Sequence, residues 1–167
     1  MQCAEQRRRQ DKVNRQESHT GAGEEMNTLS KGEQVAIILD DGERVLESIS
    51  EACSRAGISS GMIVSGIGMI RDAKIGYWNG KMYVVDSFSE PAELLSMHGS
   101  IAIDDGKLSL HIHVNLSGID HKSFGGHLVG ATVNNVNEIC VTKFHSGSFR
   151  REFNAKTGLP ALTICQS

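Results

Sequence analysis

Three histidines lie close together in the sequence, in a pattern that is typical of a metal site. His111 and His113 stand at alternate positions of the segment 108–117, and His127 follows a pair of glycines. Three neutral imidazoles that leave a fourth position open are the usual layout of a catalytic zinc site. Water in that position would have its pKa lowered toward ~7. We therefore predict a divalent metal, zinc before nickel or iron, on these three residues.

The segment 108–117 is predicted to be the strand that positions two of these histidines. Its residues alternate between apolar and polar, and a strand turns successive side chains to opposite faces. His111 and His113 would then lie roughly 7 Å apart on one face, near enough to share an ion. The glycines before His127 would let its backbone approach the neighbouring strand. The residues expected in the core are Leu108, Leu110, Ile112, Val114 and Leu116.

An alternative role for the three histidines needs no metal. They could occupy a polar, solvated sheet face or a subunit interface, where hydrogen bonds satisfy them. Among the other polar residues, Glu138 lies on the strand predicted after His127, and it is a candidate general base or partner of a ligand. A surface or interface carboxylate is the alternative there. His98 could reach the same face as the histidine pair, although a structural role is favoured.

The sequence Gly66-Ile67-Gly68 invites comparison with a dinucleotide-binding loop. That motif, G-x-G-x-x-G, needs a third glycine at the start of a helix, and Arg71 occupies the position. We therefore expect a β-bulge or a close backbone approach at these glycines. No G-x-S-x-G motif and no recognisable Cys-His spacing supports nucleophilic catalysis.

The remaining patterns predict an α+β fold with a mainly antiparallel, twisted sheet of about eight short strands and one main helix. The helix covers Val45 to Ala56 by its apolar spacing, with Asp41 as its cap and Gly57 at its end. Asn79-Gly80 predicts a hairpin turn. Two separate strands are expected after His127, at 128–133 and 138–144.

Composition limits the class of protein. A chain of 167 residues that is 39% hydrophobic can form one domain with a sizeable core. Its formal net charge of -3 argues against strong non-specific attraction to nucleic acid, so DNA binding would need a local basic patch. The cysteines are scattered and are expected to be reduced thiols, mostly buried. They are Cys3, Cys53, Cys140 and Cys165.

Residues 1–32 are expected to form a polar, disordered tail before a domain at 33–167. The tail contains Arg7-Arg8-Arg9, but acidic residues cancel its positive charge over positions 1–25. A basic arm for nucleic acid is the alternative. No apolar run approaches the ~18 to 20 residues of a membrane span, and the start lacks the apolar segment of a signal peptide. We expect a cytoplasmic protein with no membrane contact.

Several motifs together resemble the PPC (plant and prokaryote conserved) domain of stand-alone prokaryotic proteins. They are Val64-Ser65-Gly66-Ile67-Gly68, Leu94 to Ile101, Leu110-His111-Ile112-His113-Val114, Gly125-Gly126-His127-Leu128 and the closing Arg151-Glu152-Phe153-Asn154 and Thr157-Gly158-Leu159. The resemblance covers about residues 33–164. It implies an α+β domain that assembles as a homotrimer, in a family often labelled DNA-binding. The fold is also similar to that of acetolactate decarboxylase, in which a His-x-His and a later His hold zinc, an order that the three histidines match.

Two functions are therefore expected. The first is a trimeric DNA-binding or regulatory module whose three-histidine metal site is structural or holds a small ligand. Plant members of the resembled family carry Arg-Gly-Arg-Pro segments for the minor groove, and this sequence has none. The second is a zinc-dependent lyase or hydrolase that acts on a small carboxylated or carbonyl substrate, with Glu138 moving a proton.

Overall fold

A computed structural model describes residues 27–166 of the chain. This part contains nine β-strands and one α-helix, α1 (Val45–Arg55), which lies between the second and third strands. The strands are β1 (Thr28–Lys31), β2 (Gln34–Asp40), β3 (Gly61–Trp78), β4 (Tyr83–Phe88), β5 (Ala92–Asp104), β6 (Lys107–Ser117), β7 (Ser123–Lys143), β8 (Ser148–Asn154) and β9 (Leu159–Cys165). The expectations for residues 1–26 lie outside the described residues.

The strands form one sheet in the order β1-β2-β7-β3-β5-β8-β9. Two strands lie off this path, because β4 pairs with β3 while β6 pairs with both β5 and β7. The named strands pair antiparallel throughout, except for one parallel bridge between Ile103 and Arg150. The predicted α+β class and mainly antiparallel sheet are thus confirmed.

Four of the strands pair in a closed circuit, which we call the four-strand ring. β3 pairs with β5, β5 with β6, β6 with β7, and β7 with β3 again. The circuit closes where the end of β6 meets the start of β7, in a ladder that runs from the His113–His127 pair to the Ser117–Ser123 pair. Two of the three predicted ligands therefore face each other across this closure.

β3 and β7 are the two longest strands, and β7 joins the two strands that were predicted at 128–133 and 138–144. β3 and β7 are continuous over 61–78 and 123–143, but the register between them shifts at several bulges, as between Gly68 and Ile70. A bulge interrupts the period-two pattern without ending the strand. Gly68 has a φ of +138°, and a Cβ there would lie 2.1 Å from the Val136 carbonyl oxygen. The close approach predicted for Gly66-Ile67-Gly68 is therefore confirmed.

The helix packs its apolar side against the sheet. Its buried residues are Val45, Ile49, Ala52 and Cys53. Gly57 follows it with a φ of +64°, as expected for the residue that ends a helix. The predicted cap was wrong, because the N-cap position is Arg44. Asp41 instead accepts hydrogen bonds from Arg71 Nη1 at 2.6 Å and from the Asn135 amide at 3.0 Å.

The core beneath the histidine strand matches the predicted alternation. Ile112, Val114 and Leu116 are buried, while Leu108 and Leu110 are partly buried against the same cluster. The sheet itself begins earlier than the predicted domain, because β1 falls within the segment 1–32. No helix in the described part of the chain combines the length and apolar character needed to cross a membrane.

The described cysteines form no disulfide. Cys53 is fully buried, and burial raises the pKa of its thiol to about 11. Cys140 and Cys165 are only partly buried. Of these three, one therefore lies in the core as expected.

Candidate metal centre

The structure brings the three predicted ligands together. His111 and His113 lie on β6, and His127 lies directly opposite His113 on β7. The Nε2 atoms of His111 and His113 are 3.2 Å apart. Each of the three side chains offers one ligand atom, and these atoms all lie within 4.8 Å of one another. The rings therefore converge on one point on the sheet face opposite the buried residues of β6.

Two glycines allow the neighbouring strands to approach closely at this point. A Cβ on Gly125 would lie 2.1 Å from the Val114 carbonyl oxygen, and one on Gly99 would lie 2.4 Å from the His111 carbonyl oxygen. Real Cβ atoms do not tolerate such contacts, so any larger residue would push the strands apart. The prediction that glycine brings His127 near its neighbour is borne out for Gly125, whereas Gly99 was not anticipated.

Burial and neighbouring positive charges favour the neutral form of His111 and His127. The pKa of His111 is lowered to about 4, chiefly by partial burial and then by the nearby charges of His127, Arg151 and His113. Burial also lowers the pKa of His127, with His113 and Arg151 as smaller causes. Neutral imidazole is the form that donates a lone pair to a metal.

The surroundings of His127 provide a test of whether a metal fits. Its ring stacks on Tyr83 with 4.8 Å between ring centroids. Its Nδ1 atom is buried and has no hydrogen-bond partner among the described residues. Buried polar atoms are nearly always satisfied, so an orphaned ring nitrogen beside two other imidazoles suggests a missing partner. A set of three imidazole donors suits zinc and similar divalent metals.

Glu138 does not lie with the histidines. It is an exposed residue eleven positions further along β7, where it pairs with Ile38 of β2 and Ile67 of β3. At the rise of an extended strand, these eleven positions correspond to roughly 36 Å of chain along β7. Glu138 is outside the group of side chains whose ligand atoms converge, so its role as a general base or partner of a ligand stays a prediction.

His98 lies directly opposite His113 in the β5–β6 ladder, but it is exposed and outside the group whose ligand atoms converge. It lines an open cavity of about 600 Å³ beside the cluster, together with His111 and His113. The rest of the lining is mostly apolar and contains no acidic residue. It consists of Met62, Ile63, Val64, Gly99, Ser100 and Leu162.

Sequence reasoning assigned no role at the site to two residues beside the cluster. Ser100 is buried directly opposite His111, and its Oγ accepts a hydrogen bond of 2.6 Å from Arg151 Nη2. Arg151 is half-buried on β8, a strand that joins the sheet through only one bridge to β5. No local pattern distinguishes it from its exposed neighbour Arg150, so only the strand pairing reveals it.

Comparison with known proteins places the fold. Residues 26–145 match the model of the Plants and Prokaryotes Conserved (PCC) domain, which confirms the resemblance to the PPC domain. None of the curated proteins matches the chain. A solved structure of a metal-containing protein from Archaeoglobus fulgidus is 35% identical, covers 83% of this chain and 96% of its own, and superposes with a TM-score of 0.73.

Two further solved structures share the architecture. A PPC protein from Pyrococcus horikoshii is 29% identical over 88% of this chain and 98% of its own, with a TM-score of 0.72. A candidate DNA-binding protein from Bacteroides thetaiotaomicron is 24% identical over 83% and 96%, with a TM-score of 0.77. At that identity the last comparison concerns the fold alone.

Proposed function

Because this chain belongs to the Plants and Prokaryotes Conserved domain family, we propose that it is a homotrimeric, DNA-associated regulatory module built around a metal centre. The proposed ligands are His111, His113 and His127, and the proposed ion is zinc. The single observation that carries the proposal is the convergence of one ligand atom from each of these side chains to within 4.8 Å.

The metal is supported by three further observations. The pKa values of His111 and His127 are lowered, which favours their neutral form, the Nδ1 atom of His127 lacks a partner among the described residues, and the A. fulgidus relative is described as metal-containing. A zinc ion held there would supply a Lewis acid, or a structural crosslink between β6 and β7.

Assembly is supported by large apolar side chains that are exposed on β3 and β5. Met62, Val64 and Ile67 of β3 and Leu95 of β5 are between 37% and 50% exposed, and the first two line the cavity beside His111 and His113. Patches of exposed apolar surface mark interaction sites in soluble proteins. The number of subunits, three, comes from the family resemblance.

DNA association comes from the same resemblance, which implies a family often labelled DNA-binding. The Bacteroides structure, which shares the fold, is described as a candidate DNA-binding protein. The basic cluster Arg7-Arg8-Arg9 is the part of the sequence best suited to contact phosphates. It lies outside the described residues.

Elemental analysis of the untagged full chain tests the metal. We expect one divalent ion per chain, and we expect His111→Ala to lose it. His121→Ala is the matched control, because His121 is exposed in the loop between β6 and β7. Absence of metal from the unmodified protein after incubation with zinc, or equal loss in both variants, would contradict the proposal.

Light scattering coupled to gel filtration tests the trimer. We expect a mass three times that of the chain, and we expect Ile67→Glu to produce smaller species because it places a charge in the apolar surface. Ile119→Glu, which alters a residue that is 99% exposed in a loop, should leave the mass unchanged. A monomer at micromolar concentration would refute this part of the proposal.

Retention on immobilised DNA tests the third part. Binding should weaken steeply as salt rises, because each phosphate contact releases counterions. Removal of residues 1–25 should abolish it. If retention does not depend on salt concentration, or is unchanged after residues 1–25 are removed, the basic cluster is not the DNA contact.

A second candidate function is a zinc-dependent lyase or hydrolase for a small carboxylated or carbonyl substrate. The observation that favours it is the open cavity of about 600 Å³ that begins at His111 and His113. A purely structural metal would not need such a space. Turnover that requires both zinc and His113 would support this candidate over the first.

A further inference from the structure

Arg151 is a charged group beside the histidine cluster that the proposed metal centre does not use. It comes from β8, beyond residues 26–145 that match the family model. Its Nη2 atom donates a hydrogen bond of 2.6 Å to Ser100 Oγ. Ser100 stands directly opposite His111, and such cross-strand neighbours have Cβ atoms about 5 Å apart. The guanidinium is therefore held next to the ligand set.

This guanidinium lacks a full set of partners. Among the described residues, Arg151 forms no ion pair within 4.0 Å. The ion pairs found there involve other cations, namely Arg44, Arg55, Arg71 and Lys122. Asp104 is the acidic group that acts on it, and only through space. Partial burial lowers the pKa of Arg151, and its charge reaches both His111 and His127. A partly desolvated cation with free donors is a natural partner for an anion.

The cavity lined by Ser100, the hydrogen-bond partner of Arg151, restricts the kind of anion. No acidic side chain lines this cavity, so no carboxylate of the protein there repels an anion or competes with it for the guanidinium. Its apolar lining, which includes Met62, Val64 and Leu162, would favour an organic portion over a bare inorganic ion. The planar fork of a guanidinium matches the two oxygens of a carboxylate.

We propose that Arg151 binds the carboxylate of a small organic acid whose apolar portion lies against Met62, Val64 and Leu162, beside the three histidines. Ser100 is the positioning residue, since it orients the guanidinium. The inference rests on the proposed metal centre, whose charge adds to that of Arg151, and it names the ligand class for that centre.

Fluorine NMR with trifluoroacetate as the carboxylate probe tests this inference on the full, zinc-loaded chain. We expect line broadening that titrates with the protein, and no broadening of the neutral probe trifluoroethanol. Arg151→Gln should weaken trifluoroacetate binding about tenfold or more, as expected for loss of a charge-assisted hydrogen bond. Arg150→Gln is the matched control, because it removes the same charge from an exposed neighbour and should change nothing.

Zinc content measured on the same samples separates the two proposals. Absence of zinc from the unmodified chain overturns the metal centre. Zinc present with no trifluoroacetate binding, or with equal binding by Arg151→Gln, overturns only the role of Arg151. Loss of zinc from Arg151→Gln would also overturn it, by making Arg151 a support for the histidines. If Arg151→Gln does not fold, Arg151→Lys keeps the charge without the fork, and it should bind the probe more weakly than the unmodified chain.

Discussion

Two cavities of this molecule are each lined by histidine, but in the described residues only one of them adjoins a group of side chains that could bind a metal. The larger, about 820 Å³, lies around the β6–β7 loop and is lined by Glu90, Glu93, Asp120 and His121 among apolar residues; we call it the loop cleft. The smaller lies at the histidine cluster. Within the described residues, one group of potential ligands converges, and it is His111, His113 and His127. Size therefore does not identify the site.

The difference arises from the elements that carry the side chains. In the loop cleft, Asp120 Oδ2 forms an ion pair with Nζ of its neighbour Lys122 at 2.9 Å, and hydrogen bonds from Lys122 lower the pKa of Asp120. At the cluster, paired strands fix the register of all three rings. Rigid strands can hold ligands to within fractions of an ångström, whereas loop residues more readily satisfy each other.

The largest difference between the histidine cluster and the loop cleft is expected when a glycine is replaced at each. Gly125→Ala should destabilise the protein by about 3 kcal/mol, because its Cβ would collide with the Val114 carbonyl oxygen. Gly118→Ala in the loop cleft should have little effect, since its Cβ would meet only Asp120 Oδ1 at 3.4 Å. Urea unfolding of both variants at one protein concentration measures the difference. Equal losses would mean that strand approach does not limit stability here.

Removal of a ligand should have the next largest effect. His127→Ala should weaken zinc binding about 100-fold or more, because losing a direct ligand costs at least as much as losing the group that orients it. His121→Ala should leave the affinity unchanged. Competition with a chromogenic chelator gives both constants, and a similar loss in the two variants would place the metal elsewhere.

The aromatic support of His127 should have a smaller effect. Tyr83→Ala removes the ring stacked on His127, and we expect about tenfold weaker zinc binding because the imidazole is less firmly oriented. Tyr77 is 74% exposed on the adjoining strand, so Tyr77→Ala is the control. An unchanged constant for Tyr83→Ala would show that the strands alone orient His127.

The smallest change is expected in the loop cleft. Ile119 is 99% exposed, and Ile119→Ser should alter the free energy of unfolding by less than about 0.5 kcal/mol. Thermal or urea unfolding checks this. A larger loss would indicate that Ile119 is covered in the assembled protein.

Local patterns predicted the site better than they predicted its surroundings. The alternation around His111 and His113 and the glycines before His127 are short-range features, so the ligand strand and its partner could be identified. The place of Glu138 could not be predicted, because it depends on whether residues 128–133 and 138–144 form one strand or two. Arg151 depends on a single bridge from β8 to β5, which no local pattern encodes.

The same distinction holds for the fold. The helix, its glycine end and the Asn79-Gly80 hairpin follow from local chemistry, and the structure has all three. β1 has four exposed residues and was assigned to the tail, since nothing in its polarity distinguishes it from a loop. Asp41 resembles a cap in sequence, but Arg71 from a distant strand binds it instead.

The four-strand ring also bears on how the protein opens. A ring of strands leaves no free edge, so its hydrogen-bonded ladders must part somewhere before solvent reaches the interior. The ladder between β6 and β7 spans only the pairs from His113–His127 to Ser117–Ser123, so we expect the ring to open there first. An ion bound across it would act as a clasp, and amide deuterium uptake at Val114 and Leu116 would then slow when zinc is added.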